Sequence, residues 1–141
     1  MSFWLLAISS IFIYGTVWPY MQTVVKKLIT KYGFENTEAA LLFGVPFLVS
    51  AIVCPITGLV SDKCGRRVQF IMIAHLILIL AFIISIAIPG CNDNDKCYHE
   101  FVPLFLIGIG YSIYIAIFYA SIPLLVEHKN VGSAYGIAQI F

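Results

Sequence analysis

Residues 68–89 read VQFIMIAHLILILAFIISIAIP, and this stretch decides the class of fold. After Gln69 its only polar side chains are His75 and Ser85. A helix of a soluble bundle keeps a polar face at a 3.6-residue period, and none can be drawn here. At about 1.5 Å per residue the stretch reaches roughly 33 Å, enough to cross a hydrocarbon core of about 30 Å. It reads as a membrane-spanning helix.

Working outward, three more stretches share its character. Ser2 to Val25, Ala39 to Ser61, Val68 to Asn92 and Phe101 to Val126 contain no Asp, Glu, Lys or Arg. The 141-residue chain is 61% hydrophobic and 11% charged, against about 25% charged in soluble domains. Its mean hydropathy is +0.97. The predicted fold class is therefore an all-α membrane protein with four transmembrane helices. Their expected bounds are Phe3 to Val25, Glu38 to Ser61, Val68 to Pro89 and Phe101 to Val126, with a further helix from Gly132 to Phe141. The first run is no cleaved signal peptide, because it lacks a basic leading segment and a small-residue cleavage site. The chain stops inside the last apolar segment, so it reads as truncated. A net charge of +1 gives no basic surface for nucleic acid.

Local signals punctuate these helices. Pro19 is expected to kink the first, which runs on to Lys31 as an interfacial turn and ends at Gly33. Asn36 or Thr37 is expected to cap the second, with Glu38 in its positive first turn. Ser50, Cys54 and Gly58, four residues apart, predict a helix–helix contact stripe, and Gly132 with Gly136 a weaker one. The third helix is bulky and expected to face lipid. Cys91 and Cys97 bracket the polar loop Asn92 to Lys96: a disulfide if that loop faces an oxidising compartment, two free thiols otherwise. The loop is too short for an EF-hand, and no metal-ligand spacing, nucleophile elbow or phosphate loop points to an enzyme or a cofactor.

The turn between the second and third helices carries the most information. It reads Gly58-Leu59-Val60-Ser61-Asp62-Lys63-Cys64-Gly65-Arg66-Arg67. Gly65 permits the positive φ of a tight reversal. Lys63, Arg66 and Arg67 favour the cytoplasmic side. The decapeptide resembles the signature of the major facilitator superfamily found between the second and third helices of a half-transporter, and Gly58, Asp62, Lys63, Gly65, Arg66 and Arg67 match its specified positions. Val60 and Ser61 are mild departures. Charge counting alone leaves orientation undecided, so the resemblance sets it: Lys26 to Lys31 and Cys91 to Cys97 fall on the lumenal or extracellular side. Residues 108–112, 122–128 and 132–139 are similar to the second half of the lysosomal dipeptide-transporter branch. That would make these the seventh to tenth of twelve helices, with the eleventh cut short.

The resemblance implies transport of a small polar solute by alternating access, between two six-helix halves that rock about a site near the bilayer midplane. The partners implied are a small-molecule solute, the lipid bilayer and the missing half of the transporter. Carried over, the lining of the cavity comprises Tyr14, Trp18, Tyr111, Ser112, Tyr114 and Tyr119. Tyr and Trp can meet a peptide-like solute with an apolar face and a hydrogen-bonding tip, or they simply pack. Asp62 is expected to engage the N-terminus of the helix beginning near Gly132 and latch one conformation. His75 is either a proton-coupling group or a structural one paired with a neighbouring backbone or hydroxyl group. With no Asp, Glu, Lys or Arg inside a span, no strong ion relay is expected. Two other readings stand beside the dipeptide carrier: a sugar or organic-anion carrier of another branch, and a non-transporting fragment or scaffold.

Overall fold

The computed structural model describes residues 2–88, 98–126 and 128–140. Among the described residues five α-helices follow in order: α1 (Ser2–Tyr32), α2 (Asn36–Cys64), α3 (Arg67–Ala87), α4 (Phe101–Leu125) and α5 (Val131–Ile140). The first four are long and apolar enough to cross a membrane, so the chain is an all-α, multi-pass integral membrane protein. The Cys91 and Cys97 pairing lies outside the described residues.

α1 runs past Val25 to Tyr32 as regular helix, where an interfacial turn to Lys31 was expected. Its buried positions are Ala7, Ser10, Ile13, Val17, Met21, Val24, Leu28 and Tyr32, steps of three and four that keep one face inward for the whole helix. Lys26 points outward on this frame and Lys27 inward. The helix ends where Gly33 takes a left-handed φ of 68°. α2 begins at Asn36, two residues before the expected Glu38, and neither Asn36 nor Thr37 caps it. Glu35 is its cap, and the Glu35 N–H donates to Glu38 Oε2 at 3.2 Å. Pro19, Pro46, Pro55 and Pro123 all lie inside helices.

α4 is the most buried of the four spans, and two glycines seat it. A Cβ on Gly108 would lie 2.9 Å from the Cα of Pro46 on α2, and one on Gly110 would lie 2.9 Å from Leu78 Cγ and 3.2 Å from the Ala74 carbonyl on α3. Backbones this close give the dispersion contact that holds helices together in lipid, where no hydrophobic force drives association. The predicted stripe on α2 is not used in this way: a Cβ on Gly58 would meet open space, as would one on Gly132 or Gly136. α3 turns Ala74, Leu78, Ala81 and Ser85 inward and exposes Met72, Ile73, Leu76, Ile79, Ile83 and Ile86. That outer face suits acyl chains.

Two polar contacts fix which ends lie together. Arg67, at the start of α3, donates through Nη1 to the Ala120 carbonyl near the end of α4 at 2.6 Å. Lys27, near the end of α1, meets Glu100 just before α4. The helices therefore alternate in direction, with the 62–67 turn at one end of the bundle and the residues flanking 89–97 at the other.

Candidate functional site

Halfway along the helices, four of the six predicted lining residues come together across α1 and α4. Tyr14 and Tyr111 meet edge to face, with centroids 6.4 Å apart. The Tyr14 phenol is in polar contact with Tyr119 and Tyr111, and Tyr111 is in turn in polar contact with the Trp18 indole. Trp18 keeps 50% of its surface exposed. The result is a strip of amphipathic rings at roughly mid-bilayer depth, since Trp18 is close to the centre of α1 and Tyr111 close to that of α4.

Ser112 and Tyr114 do not join the strip. Ser112 follows Gly108 by one turn, on the face packed against α2, and is 1% exposed with its hydroxyl donating to the Ile109 carbonyl at 2.9 Å. Tyr114 follows Gly110 by one turn, on the face packed against α3, and is fully buried with its ring edge-on to His75 at 5.7 Å. Its hydroxyl lies near Ser9 and Ser10 without a hydrogen bond of good geometry. His75 itself contacts Ser9 Oγ at 3.2 Å and the Ile71 carbonyl at 2.7 Å. It sits within the α1–α3–α4 packing, not on the lipid face.

The strip continues into α5 through a backbone defect. Pro123 has no N–H, so the Tyr119 carbonyl four residues earlier loses its helical donor. The Tyr135 hydroxyl supplies the missing hydrogen, donating to that carbonyl at 3.0 Å, and its ring stacks on Tyr119 with centroids 6.0 Å apart. One proline thus explains both the freed acceptor and the docking of α5.

The signature turn lies at one end of the bundle. Gly65 adopts a φ of 66°, and its N–H donates to the Ser61 carbonyl at 2.9 Å. Arg67 donates through Nη2 to Asp62 Oδ1 at 2.9 Å while Nη1 holds Ala120. A single guanidinium thereby ties α2, α3 and α4. Among the described residues the partner of Asp62 is Arg67 and not the first turn of α5, and Asp62 stays 65% exposed. Lys63 and Arg66 are exposed, and Gly58 meets open space.

At the opposite end lies a cluster that reading by charge-free runs missed. Glu100 is buried, and Oε1 accepts from Lys27 Nζ at 2.6 Å, Ser85 Oγ at 2.7 Å and Tyr20 at 2.8 Å, while Oε2 accepts from Tyr32 at 3.1 Å. Burial alone would raise this carboxyl. Hydrogen bonds from Lys27, Ser85 and Tyr20, with the Lys27 charge, outweigh burial and hold it below its ordinary 4.5. The available signal was the α1 stripe: Tyr20, Lys27 and Lys31 are spaced seven and four apart, so a lysine falls beside the inward face. Lys27 lies about nine residues, or roughly 13 Å, beyond Trp18, at the rim of the hydrocarbon layer.

Four alternating spans, a glycine-seated central helix and an Asp–Arg turn define a helical bundle of a multi-pass membrane protein. The sequence model of the Major Facilitator Superfamily matches residues 2–141, and the chain belongs to that family. It is 26% identical to the protein named lysosomal dipeptide transporter MFSD1 of Danio rerio, over 98% of this chain and 28% of the relative. The Gallus gallus protein of that name is 26% identical over 99% of this chain and 30% of its own length. The Homo sapiens one is 24% identical over 96% and 28%. The chain thus spans between a quarter and a third of the length of these relatives. No solved structure matches it.

Proposed function

We propose that this chain forms part of one lobe of a solute carrier working by alternating access, and that its solutes are small and polar, of the dipeptide kind, carried across the lysosomal membrane. The single observation that supports this reading most is the strip Tyr14–Trp18–Tyr111–Tyr119 across α1 and α4 at mid-bilayer depth. Carriers of this family hold their solute at that depth, between two lobes. Phenol and indole groups offer donors and acceptors to a peptide bond and flat faces to its side chains. The second lobe, outside this chain, is the partner that closes the cavity. The turn at Asp62–Arg67 faces the cytoplasm, and the Glu100 cluster lies toward the lumen.

Reconstitution of the full-length protein into vesicles tests this reading. Uptake of labelled glycyl dipeptides above that of empty vesicles, with sugars and organic anions left behind, supports it. Uptake of sugars or organic anions alone moves the chain to another branch. Absence of any uptake by correctly inserted protein leaves a scaffold.

A further inference from the structure

At the end of the bundle that holds the 62–67 turn, α1, α3 and α4 part around a cleft of about 420 Å3. Leu5 and Leu6 of α1, Val68 and Ile71 of α3, and Leu124 and Leu125 of α4 make its walls. The polar side chains lining it are Ser9, Ser121 and Arg67. Both serines are engaged within the protein: Ser121 donates to the Ile117 carbonyl at 2.7 Å, and Ser9 contacts His75 at 3.2 Å. Arg67 differs. Its Nη1 and Nη2 each place one hydrogen, on Ala120 and Asp62, whereas a guanidinium carries five N–H donors. Arg67 is the first of the 21 residues of α3, a helix about as long as the hydrocarbon layer is thick, so its side chain stands at headgroup depth.

We propose that this cleft holds one anionic phospholipid of the cytoplasmic leaflet, with its phosphate on Arg67 and the upper part of an acyl chain between α1, α3 and α4. The inference uses the cytoplasmic placing of the turn and is independent of which solute is carried. Two observations favour a lipid over a further helix. The first is that polarity is ordered by depth. A guanidinium stands at the rim, and aliphatic walls reach one turn inward to Ile71, the profile of a glycerophospholipid. A helix seated there would cover a cation with apolar side chains or have to bring its own acid, and a covered cation without a partner is costly. The second is charge. The turn carries Lys63, Arg66 and Arg67 against one acid, Asp62, and Lys63 and Arg66 are exposed. Asp62 offsets one of these three charges, so an excess of two remains. Basic residues at the cytoplasmic rim attract anionic headgroups, and basic pockets between spans hold them. Arginine suits the task better than lysine would, since its planar fork can meet a phosphate while still holding Asp62 and Ala120.

Thermal unfolding of the full-length protein in nanodiscs tests this, in phosphatidylcholine alone and with phosphatidylserine mixed in. Arg67→Gln removes the guanidinium, and Leu5→Trp narrows the cleft from α1 without touching Arg67. Leu5 keeps 68% of its surface exposed, so the larger ring does not crowd the core. The readout is the gain in midpoint from phosphatidylserine, not the midpoint itself, because Arg67→Gln also loses Ala120 and Asp62 and melts lower in any lipid. The expected gain is about 3 °C or more for the parent, and less than about 1 °C for either variant. Should Arg67→Gln not fold, Leu5→Trp decides alone. No gain in the parent overturns the site and gives the cleft to a helix outside this chain. A gain that survives Arg67→Gln overturns it as well, by moving the anion to Lys63 or Arg66. A gain that survives Leu5→Trp, or that inorganic phosphate reproduces in phosphatidylcholine alone, removes the acyl chain and with it the lipid. None of these outcomes measures uptake, so the carrier reading stands or falls separately.

Discussion

Lys27 Nζ stands 2.6 Å from Glu100 Oε1, and the carboxylate side chain is only 1% exposed. Two charges so placed are expensive to desolvate singly and tolerable as a pair. Tyr20, Tyr32 and Ser85 donate to the same carboxylate and complete its shell, so the outer half of α1 is fastened to both α3 and α4.

Removing one member of this pair should therefore hurt more than removing both. Lys27→Met is expected to destabilise by about 3 kcal/mol, and Lys27→Met with Glu100→Gln by clearly less. Thermal unfolding in detergent of the full-length protein checks this. A double variant no better than the single one would deny the coupling.

The same carboxylate sets a pH dependence. Its pKa is depressed in the fold, so its stabilisation is fully present above the unfolded value and fades as pH falls through the folded one. Parent and Glu100→Gln should differ in stability by a constant amount from neutral down to pH 5. The gap should narrow only below the ordinary 4.5. Narrowing between pH 7 and pH 5 would contradict the assignment.

Glycine substitutions should separate used contacts from unused ones. Gly108→Ala drives a Cβ to 2.9 Å from the Pro46 backbone and should destabilise by about 1–3 kcal/mol, whereas Gly58→Ala meets open space and should not. Melting temperatures of the two variants decide it.

Pro123 and Tyr135 should be coupled. Tyr135→Phe leaves the Tyr119 carbonyl without a donor and should cost about 1 kcal/mol. In a Pro123→Ala background the helix regains its own N–H, and the same substitution should matter less. Additive effects in the four-way comparison would show that the freed carbonyl is not what docks α5.

Asp62→Asn should leave insertion intact and alter transport in the full-length protein, because it takes the anionic partner from Arg67. Unchanged rates at matched density would remove the turn from the conformational cycle.

Much of the fold was legible because the solvent is lipid. Spans with no charges appear as runs without Asp, Glu, Lys or Arg, and four of them were found that way. The same criterion passed over the Glu100 cluster. Treating any charge as a boundary made residues 26–31 of α1 an interfacial turn, although the inward repeat continues to Tyr32 and brings Lys27 to the buried Glu100. Ser85 and His75, the two polar side chains after Gln69 in the deciding stretch, both turn inward to partners on α1. Within the site, Tyr14, Trp18, Tyr111 and Tyr119 converge, whereas Ser112 and Tyr114 depend on which glycine faces α2 and which faces α3. Nothing local in the sequence distinguishes Gly108 or Gly110 from Gly58. Only packing does.

The central claim, that the strip borders a watery solute pathway, is tested most directly by thiol accessibility in a cysteine-free background of the full-length protein. Tyr111→Cys should react with a membrane-impermeant, water-soluble reagent and be protected by transported dipeptide, while Ile83→Cys on the outer face of α3 stays unreactive. If Cys at 111 proves as inert as Cys at 83, the strip faces lipid or protein, and the account of this chain as a cavity wall is wrong.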